Sequence, residues 1–279
     1  MHTFADRVTR VEVESTALKR YLHALPLAAW EHPSACAGWV IGDVVAHLVD
    51  SGAFYTESIT RGLQGERIPF ANRPPAGSVN GAAAAALTAT RVLASRQRLG
   101  ECLLTAFEDT TDRFNHLVTR LTAAEAETVC YHPGNILSVQ TFVGLRLCEL
   151  VVHGWDIRSP LEPAASLSPE SAAMLVGWWP EFVTWCFQPD RSRAAGGRFR
   201  FVFTGHGLHP YDLIVEGETV RMAPAEQMPA HVTLHCEAAT FVLLMCGRRP
   251  LDTLVAEGRL VIEGKDQLLA AFRQWFQGM

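Results

Sequence analysis

The sequence predicts an α + (α+β) chain: an N-terminal four-helix bundle followed by a smaller α+β domain with an antiparallel sheet. Two observations carry this. Apolar residues recur at helical spacing through the first part of the chain, and after Pro160 short β-type runs appear between helices. The segment Leu161 to Pro169, with Pro163 and several Ala and Ser, reads as a linker, which sets the expected domains at 1–160 and 168–279.

The elements follow in order. Val8, Val11, Leu18, Tyr21, Leu22 and Leu25 mark a first helix over 4–25, closed by Pro26. A loop with Pro33 and Ser34 leads to a second helix over about 42–62. Residues 68–81, with Pro69, Pro74, Pro75, Gly77 and Gly81, form a long connection. The alanine run from Ala82 starts a helix, with Asn80 as its expected cap. A break at Leu99-Gly100 separates it from a helix over 101–121. His132-Pro133-Gly134-Asn135 is a turn, and a further helix runs over 139–157. In the second half, a Trp-rich helix is expected over 169–187. Strands are expected at Phe199–Phe203, Asp212–Val215, Thr219–Arg221 and His231–His235, with a hairpin turn at Glu216-Gly217-Glu218. Helices return over 238–246 and 267–275, with the short apolar run Arg259–Ile262 between them.

The composition narrows the function. With 279 residues, 48% hydrophobic and 19% charged, the chain has ample material for a core. A net charge of -5 gives no basis for a nucleic-acid or membrane-surface partner. No apolar run is long enough for a membrane span, and the N-terminus lacks the pattern of a signal peptide. The cysteines, at 36, 102, 130, 148, 186, 236 and 246, are odd in number and form no C-x-x-C pair. They imply reduced thiols, a cytoplasmic location and no cysteine zinc site.

The chemistry concentrates in Arg146-Leu147-Cys148-Glu149-Leu150-Val151-Val152-His153-Gly154-Trp155-Asp156. Four residues apart on a helix, Glu149 and His153 share a face, while the flanking positions are apolar. A buried carboxylate and imidazole need a partner, and a metal ion is one. His47, in the apolar helix Asp43-Val44-Val45-Ala46-His47-Leu48, is the candidate third ligand. Two imidazoles and one carboxylate suit zinc with an open fourth position, and equally ferrous iron. Asp43 and Asp156 are the expected acceptors for the free N–H groups of the histidines. Taken singly, His47 reads as a core histidine and Glu149/His153 as an ion pair. Their joint occurrence favours the ligand set. His206 and His209 read as a solvated turn, and Cys148 as core packing.

These two segments resemble the mycothiol-dependent maleylpyruvate isomerase family, part of the DinB-like group of metal-binding helix bundles. The resemblance spans residues 1 to about 160 and maps the family's metal ligands onto His47, Glu149 and His153. Val261-Ile262-Glu263-Gly264-Lys265 and its flanking helices resemble a sterol-carrier-like domain. The resemblance implies a divalent metal, usually Zn2+, and a low-molecular-weight thiol cosubstrate such as mycothiol or ergothioneine. It implies thiol S-transferase or cis-trans isomerase chemistry on an electrophilic small molecule, in a monomer or homodimer. Arg73 and Arg91 are candidates to pair with a substrate carboxylate. A non-catalytic protein binding a metal, a thiol conjugate or an apolar ligand, and a metal-dependent hydrolase, are the alternatives.

Overall fold

The structure is a computed structural model describing residues 2–78, 81–189, 196–205, 207–264 and 266–278. The expected cap Asn80 and His206 of the H-x-x-H pair lie outside the described residues. The chain divides into two compact units, Met1–Ser166 and Leu167–Met279.

The first unit is built on α1 (Phe4–Ala24), α2 (Ile41–Leu63), α3 (Gly81–Leu99), α4 (Leu103–Val118) and α5 (Val139–Arg158). The bundle consists of α1, α2, α4 and α5, with α3 packed against α2. Thr3 and Asp6 cap α1 reciprocally, and the Ser138 side chain accepts the Thr141 N–H at the start of α5. The break expected at Gly100 is a 3-10 turn, Gly100–Cys102, with Gly100 at φ 50°. α5 is buried nearly all round, from Val139 to Ile157, as its apolar sequence predicts.

One element goes beyond the sequence expectation. The turn at 132–135 joins two short strands, β1 (Val129–His132) and β2 (Asn135–Ser138), paired antiparallel. β1 lies against α2 so closely that a Cβ on Gly62 would fall 2.3 Å from Cys130 Sγ. Glycine at 62 is what allows this approach.

The second unit holds α6 (Pro169–Trp178), β3 (Gly196–Phe203), β4 (Tyr211–Glu216), β5 (Thr219–Pro224), β6 (Val232–Cys236), α7 (Ala238–Met245), α8 (Leu251–Ala256), β7 (Leu260–Gly264) and α9 (Asp266–Trp275). The Trp-rich helix stops at Trp178 and continues as 3-10 turns, because Pro180 has no N–H to donate to the preceding turn. The run at 259–262 is a strand.

The sheet order is β5-β4-β3-β6-β7. It is antiparallel except for β3 and β6, which run parallel. The expected antiparallel sheet is present, with one parallel pair introduced where the chain crosses over between β5 and β6. Arg200 on β3 secures that crossover through the carbonyls of Glu226 and Met228. Along β3, Phe199, Phe201 and Phe203 are buried and alternate with Arg198 and Arg200. The phenylalanines meet Phe241 of α7 and Phe272 of α9. Among the described residues, no helix is long and apolar enough to cross a membrane.

Candidate metal centre

α2 supplies His47 and α5 supplies Glu149 and His153. One ligand atom from each lies within 4.8 Å of the others, a group able to hold a metal ion. Glu149 Oε2 is 2.7 Å from His47 Nε2 and 3.2 Å from His153 Nε2. The two imidazoles sit edge to face, 4.8 Å between centroids. All three side chains are mostly but not fully covered, at 14%, 19% and 12% exposure, so the cluster is reachable from solvent.

Neighbouring groups fix this arrangement. Asp156, itself fully buried, accepts a hydrogen bond from His153 Nδ1–H at 2.8 Å, which turns Nε2 toward Glu149. Tyr55 donates its hydroxyl to Glu149 Oε1 at 3.2 Å. Trp39 packs on His47 at 5.5 Å. Behind the site, the buried Arg146 donates to the Leu48 carbonyl, Ser51 and Thr111, tying α5 to α2 and α4. Gly52 makes room for it: a Cβ there would lie 3.1 Å from Arg146 Nη2.

The electrostatics follow from burial and pairing. Burial opposes the charge on Glu149, but His47 and His153 hold its pKa well below the usual carboxylate range. Burial also opposes protonation of His153, yet Asp156 and Glu149 raise it to about 9. Burial draws Arg146 down to about 10 against the pull of Glu149. Burial and the Glu149 charge push Tyr55 well above its ordinary value, so it stays a donor.

The remaining predicted residues are placed differently. Asp43 does not orient His47. Its Oδ2 accepts the Val40 N–H at the start of α2, and its Oδ1 accepts Arg96 at 3.0 Å. A short acid in the first turn is drawn to the helix's own free N–H groups. Arg73 and Arg91 do come together. They line a groove of about 480 Å³ with Asp50, Phe54, Ser95 and Arg98. Arg73 lies over the Phe54 ring, 3.9 Å from its centroid. The turn before it places Ala71 and Asn72 at φ 51° and 57°, a left-handed conformation uncommon for residues with a side chain.

Sequence reasoning missed Tyr55, Arg98 and His132. His132 sits among Phe54, Tyr55 and Phe142, where burial and the Arg73 charge lower it to about 4. The Pro-Gly turn flanked by Val129-Cys130-Tyr131 and Ile136-Leu137 was a signal for the hairpin that carries it. Nothing local marks Tyr55, because its partner is 94 residues away.

Comparison with known proteins agrees with this architecture. No curated protein matches the chain. Two solved structures of the mycothiol-dependent maleylpyruvate isomerase share the fold. One, a histidine-to-alanine mutant, has 14% identity and a TM-score of 0.62, covering 94% of this chain and 96% of that one. The other has 15% identity and a TM-score of 0.60, covering 89% and 93%. Residues 188–277 match the SCP-2 sterol transfer family. Residues 11–158, just over half of the sequence, match the mycothiol maleylpyruvate isomerase N-terminal domain, and the chain belongs to that family.

Proposed function

We propose that this chain is a metal-dependent thiol enzyme in which His47, Glu149 and His153 hold a divalent ion, Zn2+ by the chemistry of the donor set. The observation that carries this is the convergence of both histidine Nε2 atoms on one oxygen of Glu149. The donor set fits: two nitrogens and one carboxylate oxygen match a zinc site with an open position. Such an ion, when bound, would hold a low-molecular-weight thiol as its thiolate at neutral pH.

The chain's own residues would do the rest. Asp156 keeps His153 in the tautomer that presents Nε2. Trp39 and Tyr55 limit water around the ligands. Arg73 and Arg91, which line one groove with Asp50, would grip an acidic group of the electrophile. The thiolate would add to an activated double-bond carbon as the π pair moves onto the conjugated carbonyl oxygen; rotation about the resulting single bond and return of that pair would re-form the double bond and expel the thiolate. That sequence isomerises the substrate. Where the substrate instead loses a leaving group, the sulfur stays attached and the outcome is S-transfer. The thiol would be mycothiol, ergothioneine or a similar molecule, and the enzyme would work in the cytoplasm.

The test is metal content by plasma mass spectrometry on untagged protein purified without added metal, followed by turnover of a maleyl-type electrophile with each thiol. About one zinc per chain and turnover only with a thiol present are expected. A protein that neither carries nor takes up a divalent ion overturns the proposal. Turnover of simple esters without thiol would turn it into a hydrolase.

A further inference from the structure

The two oxygens of Glu149 have different neighbours. Oε2 faces both histidines, while Oε1 accepts the Tyr55 hydroxyl. Tyr55 has little freedom to follow a rotating carboxylate. It is 5% exposed, its ring meets Phe142 edge to face at 5.4 Å, and Phe54 lies 5.8 Å away. It stands two turns beyond His47 on α2, so one helix fixes both a ligand and the group that holds a second ligand.

We infer that Tyr55 is a positioning residue that reserves Oε1 of Glu149 and makes this carboxylate a one-oxygen metal ligand. The inference rests on the metal-site reading above. Its consequence is a coordination position. A carboxylate that gives one oxygen fills one site on the metal, whereas a carboxylate that gives both fills two. With two imidazoles already present, the one-oxygen mode leaves a four-coordinate ion one place for a cosubstrate sulfur. The two-oxygen mode would occupy that place. Tyr55 thus keeps the site open without touching the substrate.

The experiment compares wild type with Tyr55→Phe, which removes only the hydroxyl. Cobalt(II) is the probe because its visible bands are strong when four-coordinate and weak at higher coordination number. Wild type loaded with cobalt and a thiol is expected to show the strong bands. The variant, with Oε1 released toward the metal, is expected to lose that intensity. Circular dichroism checks that both proteins are equally helical. An identical spectrum in the two proteins overturns the inference, whether or not affinity falls. If wild type takes up no cobalt, the metal reading itself fails and this inference falls with it.

Discussion

Glu149 in the helical unit and Asp212 in the sheet unit are both covered carboxylates, and their partners differ in kind. Asp212 is 1% exposed and is met by two arginines. Arg200 forms a two-pronged contact at 2.7 and 2.9 Å, and Arg198 adds a bond at 2.8 Å. Guanidinium groups do not give up their protons near neutral pH, so this acid is permanently satisfied. Glu149 is met by two imidazoles and a phenol. An imidazole can exchange its proton for a metal ion. A buried acid closed by arginines holds a sheet together, whereas one closed by histidines could exchange their protons for a metal ion.

The largest effect that tests this contrast is on the metal. His153→Ala should reduce bound zinc from about one per chain to none and abolish thiol-dependent turnover, with helix content retained. Zinc still bound at full stoichiometry would remove His153 from the ligand set. In the other unit, Asp212→Ala leaves two arginines without their acid. We expect a loss of about 2–3 kcal/mol in chemical denaturation, less than for a fully buried pair because both arginines reach solvent. Zinc content should not change. A loss of metal in this variant would mean that the two buried acids are not independent.

Asp212 also has a pH signature. Burial opposes its charge, but the bonds from Arg200 and Arg198 outweigh it and leave the pKa lowered from 3.8. Its stabilisation is therefore complete above about pH 4 and is lost as the pH falls through the lower folded value. Denaturation of wild type and Asp212→Asn across pH 2–6 should converge at the acid end, and parallel curves would contradict the pairing.

A smaller effect is expected at Asp156. Asp156→Ala should weaken metal binding about 10- to 100-fold in a chelator competition, because His153 loses the acceptor that sets its tautomer. The smallest concerns Arg73. Arg73→Gln should raise KM for an acidic electrophile about tenfold, roughly 1.4 kcal/mol, with kcat and zinc content unchanged. A fall in kcat with KM unchanged would place Arg73 in the chemistry rather than in binding.

Much of the helical unit was legible in local patterns. The apolar periodicity marked α1, α2 and α5, and Gly100 marked the break before α4, because each signal lies within one or two turns of its element. The Glu149–His153 spacing fixed one face of α5 for the same reason. In the sheet unit short β-type runs marked β3, β4, β5 and β6, but strand order was not readable. The parallel β3–β6 pair arises from a crossover that period-two patterns do not encode.

At the candidate site, the sequence by itself determined the candidate donors: a carboxylate and an imidazole on one helix face, and a second imidazole on another apolar helix. Helical geometry and the cost of burying polar groups are local properties of the chain. Only the tertiary structure decided which neighbours those donors have. It brought His47 and Tyr55 of α2 to the two oxygens of Glu149 on α5, whereas Asp156, one turn from His153 on the same helix, was legible in the spacing. Those choices depend on how α2 and α5 cross and pack, and hydrogen-bond partners nearly a hundred residues apart leave no trace in spacing.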